Sequence, residues 1–348
     1  MVTPSHTPES KESSEKRKSL HLTLLRWFDN QAAEPKDGRD PSRVDWLRVI
    51  PFVLMHLGCL GVFWFGYSPV AVAVAGFLYG LRMFAITAFY HRYFAHRSFK
   101  TSRTLQFLFA LIGAASVQRG PLWWSAHHRN HHAHSDDPKD THSPLQQGFL
   151  KSHMLWFLTR ENFRTRHELA KDWQRYPELL FLDRYDTIIP LLFGGGLYGV
   201  GVILAYQMPQ LGTNGPQMLT WGFFVSTVLL YHATFTVNSL AHVWGSRRYA
   251  TPDGSRNNAF LALITLGEGW HNNHHHYPGS VRQGFFWWEF DPTFWILRLM
   301  ACFHLVWDLR PVPDKWRDRG RIWVEKADPR APLDALNRLH KSGDLDVS

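Results

Sequence analysis

The chain has 348 residues, 45% of them hydrophobic, with 16 tryptophans and a formal net charge of +9. A soluble protein with this charge would suggest a nucleic-acid partner. Here the basic residues alternate with long apolar stretches, so we expect an anionic membrane surface as the partner and no nucleic-acid binding. The two cysteines, Cys59 and Cys302, are too few for a zinc ribbon, an iron–sulfur site or a disulfide framework.

The two ends of the chain differ in composition from its middle. Residues 1–44 are polar, charged and poor in aromatic residues, which predicts disorder. A polar composition returns over residues 311–348, which we interpret as a C-terminal tail. The region between them, residues 45–310, is predicted to form one membrane domain.

Four stretches are long and apolar enough to cross the roughly 30 Å hydrocarbon core of a bilayer as helices. They cover about residues 47–67, 69–90, 187–206 and 218–240. Two further apolar segments are Thr104–Val117, which is too short, and Gly284–Trp307, which charged residues interrupt. We expect these two segments to be interfacial or re-entrant.

The distribution of basic residues predicts the orientation of this domain. The short links between the first and second spans and between the third and fourth contain no Lys or Arg. By the positive-inside rule both termini and the middle region are cytoplasmic, at the inner membrane if the source is bacterial. The second and fourth spans then deliver His91 and His242 to the same cytoplasmic rim.

Histidines cluster in two runs with the same spacing, HxxHH. On an α-helix the residues i, i+3 and i+4 lie on one face, so each run is predicted to present three imidazoles together. They are His128, His131 and His132 in "HRNHH", and His271, His274 and His275 in "HNNHH".

Two shorter motifs follow the second and fourth spans. In "HRYFAH", His91 and His96 are five residues apart and converge only if the helix ends or bends between them. In "NSLAH", Asn238 and His242 share one helix face. Nine clustered imidazoles exceed the needs of one metal ion and divide into a four and a five, which indicates a two-metal site. The alternative is a set of surface histidines or a pH-sensing patch.

The remaining acidic and histidine residues bear on the kind of site. A soluble carboxylate-bridged di-iron protein needs two Glu-x-x-His pairs, and only Glu268 with His271 fits, so that design is excluded. Glu268 is instead expected to orient an imidazole through its ring N–H. We interpret five isolated histidines as ordinary core or surface residues: His56, His153, His167, His232 and His304.

The motifs "HRYFAH", "HRNHH", "NSLAH" and "GEGWHNNHHHYP", in this order, resemble the membrane fatty-acid desaturase family, most closely its stearoyl-CoA Δ9 branch and bacterial relatives. The resemblance covers about residues 45–310. It implies an all-α integral membrane fold, with four transmembrane helices under a cytoplasmic helical cap that holds a histidine-ligated di-iron centre. It also implies that the chain introduces a cis double bond, at Δ9, into a saturated acyl chain with O2 and two electrons.

The resemblance further implies roles for individual residues. It makes Asn238 the holder of a metal-bound water, and it does not extend to His127, His134 or His276, which also lie off the shared helix faces. It gives nine iron ligands, namely His91, His96, His128, His131, His132, His242, His271, His274 and His275.

A substrate tunnel is the other implication of the resemblance. Around its bend the matching positions are Gln118, Trp124, Thr234 and Phe235, and Phe235 stands where many relatives have Trp. Ala75 and Tyr79, three to four turns before His91 on the second span, are candidates for its closed end.

Recognition of the headgroup is less well specified. Arg119, Lys151 and Arg160 are candidates for holding phosphates. Animal acyl-CoA members carry Arg and Asp where this chain has Ala126 and His127. The three basic residues could still hold the phosphates of CoA despite this difference. We therefore expect fatty acyl-CoA as the substrate, with a chain esterified in a membrane lipid as the alternative.

The electrons must come from a separate carrier, such as a ferredoxin with its reductase, since the chain contains no haem-domain motif and no dinucleotide fingerprint. Two rival functions stay open. A histidine-box hydroxylase or alkane monooxygenase would use the same metals, although the "NSLAH" element and the His91–His96 spacing favour desaturation. A non-enzymatic metal transporter would place its ligands at the membrane midplane instead of at one rim.

Overall fold

A computed structural model describes residues 25, 27–31 and 40–318. Most of the segment predicted to be disordered, and the polar tail beyond Asp318, lie outside these described residues. The described part is mostly helical. Its α-helices are α1 (Trp46–Gly58), α2 (Val62–Phe65), α3 (Pro69–Phe84), α4 (Arg103–Ala114), α5 (Pro121–His134), α6 (Pro144–Gln147), α7 (Arg160–Phe163), α8 (Pro177–Arg184), α9 (Ile188–Gln207), α10 (Gly215–Leu219), α11 (Ser226–Asn238), α12 (Ala259–Ile264), α13 (His271–His276), α14 (Pro292–Cys302) and α15 (Asp314–Asp318).

Shorter and wider helical turns interrupt or extend these helices. The π-helices are Ala85–Ala95, Lys151–Leu155 and Thr220–Val225. The 3₁₀ turns are Cys59–Gly61, Trp156–Leu158, His167–Leu169, Lys171–Trp173, Pro209–Leu211 and Leu240–His242. Two short strands, β1 (Lys100–Thr101) and β2 (Val306–Trp307), pair antiparallel, with Lys100 opposite Trp307.

Four helical stretches are long and apolar enough to cross a membrane, as the sequence predicts. We call them spans 1 to 4: Arg48–Phe65, Pro69–Ala95, Ile188–Gln207 and Gly215–His242. Helices α4 and α14 are apolar but shorter, in agreement with the expectation that their segments do not have the length of a span.

The four spans differ in how much of their surface is covered. Of the most apolar 18 residues, 44% are buried in span 2 and 56% in span 4, against 17% in spans 1 and 3. Spans 1 and 3 therefore present most of their side chains outward, while spans 2 and 4 are shielded. Span 3 packs closely on the start of span 4, because a Cβ on Gly201 would lie only 2.5 Å from the carbonyl oxygen of Asn214.

Local sequence signals explain where spans 2 and 4 begin. Ser68 accepts a hydrogen bond from the amide of Ala71, and Pro69 occupies the first helical turn, where its missing N–H has no partner to lose. Asn214 caps span 4 in the same way by accepting from the amide of Gln217 at 3.0 Å.

The sequence predicts that span 2 ends at Tyr90, but in the structure it continues to Ala95. Its last part winds as the π-helix Ala85–Ala95, every residue of which is buried. A π-helix shifts the backbone hydrogen bonds from i+4 to i+5, and such turns often occur at functional sites. The apolar pattern of the sequence does not distinguish this winding from an α-helix.

A cap of short helices packs on the end of span 2. Phe89 of the π-helix stacks on Phe109 of α4, with ring centroids 4.0 Å apart. The indole N–H of Trp173 donates to the carbonyl of Phe94 at 2.8 Å. These contacts join the π-helix to the cap through buried aromatic rings.

Helix α5, which carries "HRNHH", has a firmly held start. Pro121 occupies its first turn, and a carboxylate oxygen of Asp183 accepts from the amide of Trp123 at 2.7 Å. The preceding residue must be Gly120, because a Cβ there would lie 2.3 Å from the Cα of Asp183. Burial raises the pKa of Asp183 to about 6.

Part of the segment predicted to be disordered packs against the cap. The side-chain amide of Asn30 donates to the carbonyl of Asp183 at 2.7 Å and to the carboxylate of Asp186 at 3.0 Å. Asp29 forms an ion pair with Arg184 at 2.7 Å. The structure therefore differs from the prediction at residues 29 and 30, because these polar side chains find partners in the cap that composition alone does not reveal.

Candidate metal centre

The nine histidines predicted as ligands come together in two groups. Within each group the potential ligand atoms lie within 4.8 Å of one another. The five-histidine group contains His91, His96, His128, His132 and His274, and the four-histidine group contains His131, His242, His271 and His275.

Each HxxHH run divides between the two groups, so the expectation that a run presents its three rings together needs correction. His128 and His132 of α5 join the five-histidine group, while His131 joins the other. The C-terminal run, on α13, divides in the opposite sense and sends only His274 to the five-histidine group. On a helix, positions i+3 and i+4 differ by about 100°, so adjacent histidines point to different centres.

The π-helix explains how His91 and His96 reach the same group. The amide of His96 donates to the carbonyl of His91 at 3.2 Å, an i+5 bond. In this winding, residues five apart are closer together around the helix axis than in an α-helix, and the two ring centroids are 4.9 Å apart. The bend that the sequence requires between them is therefore a change of helix type.

Ring nitrogens of both groups face one another at short range. Nε2 of His96 lies 2.8 Å from Nε2 of His128, and Nε2 of His242 lies 3.0 Å from Nε2 of His271. Nε2 of His275 is buried and has no hydrogen-bond partner. Converging, desolvated imidazole nitrogens are the donor set that binds transition-metal ions, so the residues present fit a pair of them.

Carboxylates stand behind four of these rings and contact their Nδ1 atoms. The distances are 2.9 Å for Asp140 with His131, 2.9 Å for Asp136 with His242 and 2.6 Å for Asp253 with His275. The fourth pair is Glu268 with His91. A carboxylate on one ring nitrogen fixes the tautomer and directs the lone pair of the other nitrogen toward a metal.

Glu268 lies in a wider buried network. The guanidinium of Arg92 bridges it to Asp291, with distances of 3.0 Å to each carboxylate, and Gln283 donates to it at 2.8 Å. The sequence predicts that Glu268 orients an imidazole, and the ring it contacts is that of His91 on span 2.

Burial and charge act differently on individual rings, and His131 is the exception: burial also lowers the pKa of His271 and His275 in the four-histidine group. Burial lowers the pKa of His96, His128, His132 and His274 well below the ordinary value, and neighbouring histidines add to this effect. Burial also acts to lower the pKa of His131, but Asp140 and nearby carboxylates raise it above the ordinary value.

The carboxylates themselves respond to the histidines. Burial acts to raise the pKa of Asp136, but its hydrogen bond with His242 holds that pKa at about 2. The pKa values of Asp140 and Asp253 are lowered for the same kind of reason, by His131 and His275 respectively. These carboxylates therefore stay anionic at neutral pH.

His142 is a site residue that the sequence reasoning missed. Its ring stacks on His131 with centroids 4.4 Å apart, and its Nδ1 lies 3.7 Å from Asp140. The three residues form a further group of possible metal ligands. The available signal was the acidic stretch "HSDDPKDTH" directly after the first HxxHH run, which also contains Asp136.

The three histidines that the sequence sets aside make other contacts. His127 is buried with Nε2 3.3 Å from the carbonyl of Arg164, and His134 faces Asp137 at 3.1 Å. Nε2 of His276 lies 2.8 Å from the carbonyl of Trp316. None of the three belongs to either histidine group described above.

A family model for fatty acid desaturases matches residues 67–307. The chain belongs to the fatty acid desaturase family. Its membership agrees with the resemblance drawn from the four histidine motifs, and it makes the protein an oxidoreductase that acts on fatty acids.

Curated desaturases from several organisms resemble the chain over most of its length. It is 38% identical to the sn-2 palmitoyl-lipid 9-desaturase of Nostoc sp. over 79% of this chain and 93% of that protein. It is 35% identical to Delta-9 acyl-lipid desaturase 1 of Arabidopsis thaliana, over 80% and 87% of the two chains. An acyl-CoA C20 Delta5-desaturase of Anemone leveillei is 36% identical over 68% of this chain and 72% of its own.

Four of the predicted substrate residues of this desaturase lie against the five-histidine group and the last part of span 4: Gln118, Trp124, Thr234 and Phe235. Gln118 donates to the hydroxyl of Thr234 at 2.8 Å. Trp124 stacks on His128 with centroids 5.0 Å apart. The buried ring of Phe235 stacks on Tyr231 at 5.5 Å.

Two predicted residues lie on span 2, before its π-helix. The hydroxyl of Tyr79 donates to the carbonyl of Ile264 at 2.6 Å, and its ring packs against Met83 and Leu230. Ala75 is buried one turn earlier. Tyr79 therefore links span 2 to helix α12 at a distance from both histidine groups.

Arg119 and Arg160, the arginines predicted to hold phosphates, each face a carboxylate inside the protein. Arg119 forms an ion pair with Asp186 at 3.2 Å and lies over the ring of Phe163, and its side chain is 18% exposed. Arg160 lies 3.5 Å from Asp45 and is 11% exposed. Composition showed two basic residues, but each guanidinium has a carboxylate partner inside the protein.

Asn238 is the last residue of α11 and is half-buried. Its carbonyl accepts a hydrogen bond from the hydroxyl of Ser152 at 3.0 Å. Its predicted role toward a metal-bound water stays a prediction.

Proposed function

We propose that this desaturase introduces a cis double bond at Δ9 of a saturated acyl chain, using two iron ions held by the five-histidine and four-histidine groups. The division of both HxxHH runs between the groups carries this proposal, because one run cannot complete either site alone. Iron bound there would supply the oxidising power that removes two hydrogens from unactivated methylene carbons with O2 and two electrons.

The chain itself would bind the ions, orient the acyl chain and exclude water from the site. The nine imidazoles would hold the ions, with four carboxylates behind the rings to fix their orientations. Trp124, which stacks on His128, and the pair Gln118–Thr234 would position the acyl chain beside the five-histidine group. Because most of these rings are buried, water has little access to compete with the substrate.

We infer that the acyl chain is esterified in a membrane lipid, with acyl-CoA as the alternative. Two observations favour the lipid. Arg119 and Arg160, the arginines that would hold CoA phosphates, are paired with carboxylates inside the protein. The relatives from Nostoc and Arabidopsis are named as lipid desaturases.

The proposed topology follows the basic residues. Both termini and the histidine groups face the cytoplasm, since the links between spans 1 and 2 and between spans 3 and 4 contain no Lys or Arg. A separate acidic carrier such as a ferredoxin, reduced by its reductase, would deliver electrons to this basic side.

The test is fatty-acid analysis of a host that expresses the wild type, His131→Ala, or His304→Asn as a control at an exposed histidine outside both groups. The wild type and the control should produce a new Δ9 monoene that disappears with His131→Ala. A hydroxylated product instead would support the hydroxylase alternative. A pulse of labelled saturated fatty acid separates the carriers, because a lipid desaturase converts label already esterified in phospholipid.

A further inference from the structure

Three of the isolated histidines form a continuous row outside both histidine groups. Nε2 of His56 in span 1 lies 3.2 Å from Nε2 of His232 in span 4. Nδ1 of His232 lies 3.0 Å from Nε2 of His153, on the π-helix Lys151–Leu155. We call these residues the histidine row. Ionisable rings inside membrane spans are costly and are usually retained for a function, so the row needs an explanation.

The row ends at the point where span 4 breaks. Nδ1 of His153 lies 2.9 Å from the hydroxyl oxygen of Ser239. Helix α11 stops at Asn238, Ser239 adopts φ −105° and ψ −70°, and a 3₁₀ turn then carries His242. The neighbouring Ser152 donates to the carbonyl of Asn238, so two adjacent residues of one π-helix hold this break.

At the opposite end of the row, the backbone carbonyl of Phe52 determines which nitrogen of the His56 ring carries the hydrogen, and the assignment of the other two rings follows from it. Nδ1 of His56 lies 2.8 Å from the carbonyl of Phe52, and a carbonyl only accepts, so this nitrogen carries the hydrogen. In neutral rings, Nε2 of His56 then accepts from His232, whose Nδ1 accepts from His153. Nδ1 of His153 is left as an acceptor for the hydroxyl of Ser239 at 2.9 Å, and the single hydrogen of that hydroxyl also has the carbonyl of Phe235 within reach at 3.0 Å.

The row has the shape of a chain and not of a metal cage. Among the described residues, the groups of histidines and acids whose ligand atoms all lie within 4.8 Å of one another do not include these three rings together. Each ring instead uses both nitrogens for separate neighbours, as hydrogen-bonded relays do. The row ends on one hydroxyl, that of Ser239, and therefore connects the position of this residue to spans 1 and 4.

We propose that the histidine row is a positioning device for the metal centre: it holds Ser239 and thereby fixes the break that brings His242 into the four-histidine group. The row links span 1, span 4 and the cap, so the position of His242 depends on all three. His153, His232 and His56 are positioning residues, since they act through Ser239. The expected effect on iron rests on the proposed function.

Two substitutions at His153 separate the two ends of its ring. Asn places its amide oxygen near the position of Nδ1, so His153→Asn keeps the acceptor for Ser239 and loses the contact with His232. Gln places its amide near the position of Nε2, so His153→Gln keeps His232 and loses Ser239. The two variants are matched in chemistry and differ only in the neighbour that they retain.

The measurements are iron release to a ferrous chelator, amide hydrogen exchange over Asn238–His242, and the midpoint of thermal unfolding in detergent. We expect about tenfold faster iron release and faster exchange for His153→Gln, and values within about twofold of wild type for His153→Asn.

Equal behaviour of the Asn and Gln variants in iron release and in exchange would overturn the proposal and leave the row as a structural cross-link. Amide hydrogen exchange also tests the positioning role when iron release cannot be measured. Wild-type protein that binds no iron, with exchange that still distinguishes the two variants, would contradict the proposed metal centre and support the positioning role. Iron retained equally by all variants, with unchanged exchange, would contradict the positioning role alone.

Discussion

The two histidine groups differ in what stands behind their rings. In the four-histidine group, carboxylates contact Nδ1 of His131, His242 and His275. In the five-histidine group, only His91 has such a partner among the described residues, and that partner is Glu268. The group with fewer imidazoles thus has more anionic charge around it.

This difference means that two ions bound here would be chemically unequal. Carboxylates behind imidazoles raise the basicity of the ligands and stabilise the positive charge of the ion. The four-histidine group would therefore compensate with charge for its smaller number of nitrogens. The five-histidine group, with the π-helix and the stacked Trp124, would depend more on geometry.

Removing one ligand from either group has the largest expected effect. We compare His96→Ala in the five-histidine group with His271→Ala in the four-histidine group. Each should lower product formation by more than about 100-fold, because loss of a ligand exceeds the cost of losing a partner behind it. Each should also reduce bound iron from two ions per chain to one, measured by elemental analysis of purified protein.

If the groups are two separate sites, the iron left in each variant should have its own spectroscopic signature. Identical spectra in both variants, or two ions retained in either, would contradict the division into a five and a four. The exposed His304→Asn serves as the control for folding and should keep both iron and activity.

Substitution of the carboxylates should give the next largest effect. Asp140→Asn keeps an acceptor for the N–H of His131 and removes only the charge, whereas Asp140→Ala removes both. We expect about a tenfold loss of activity for Asn and up to about 100-fold for Ala. Turnover and iron content measure this effect.

Glu268→Gln is the matched change in the five-histidine group. Because that group depends less on charge, its loss of iron should be smaller than that of Asp140→Asn. A larger loss of iron in Glu268→Gln than in Asp140→Asn would contradict the inference that the four-histidine group depends more on charge than the five-histidine group. The contact of Glu268 with Arg92 calls for a thermal unfolding measurement alongside, since the substitution also breaks a buried ion pair.

Metal binding should depend on pH in one group only. The raised pKa of His131 keeps this ring protonated in metal-free protein below that pKa, so an ion must displace its proton. Affinity at the four-histidine group should therefore fall about tenfold per pH unit as pH falls below this value. Four rings of the five-histidine group have lowered pKa values, so these rings should release no proton on binding over the same range; they are His96, His128, His132 and His274.

Titration with Fe²⁺ under argon, in buffers of different ionisation enthalpy, counts the protons released. One proton should appear for the four-histidine group and none for the five. Asp140→Asn should abolish the released proton, because Asp140 is the main source of the raised pKa of His131. Equal proton release from both groups would remove the electrostatic difference between them.

The spans and the clustering of the nine histidines could be predicted from the sequence, because run length and histidine spacing are local properties. The division of each HxxHH run between two groups could not be predicted, since it depends on where spans 2 and 4 and helix α13 lie relative to α5. The π-helix was also hidden, because the same residues are apolar and buried whether the turn closes at i+4 or i+5.

Partners distant in sequence were the other hidden part of the site. Asp136 and Asp253 come from loops, whose path the helical periodicity does not predict, yet each contacts a histidine of the four-histidine group. His56 and His232 are 176 residues apart and were interpreted as isolated residues. Both cases need a folded chain, because the informative property is a contact and not a residue type.

The smallest expected effect lies away from both groups and tests whether the site extends along span 2. If Tyr79 closes the substrate tunnel, Tyr79→Ala should shift the preferred acyl chain to a longer length, with little loss of total product. Tyr79→Phe keeps the ring and loses only the hydrogen bond to the carbonyl of Ile264, so it should keep the wild-type chain-length profile. Profiles that are the same for Ala, Phe and wild type would remove Tyr79 from the tunnel. A shift in both variants would instead assign the effect to the link between span 2 and α12, since the hydroxyl is the feature that both variants lack.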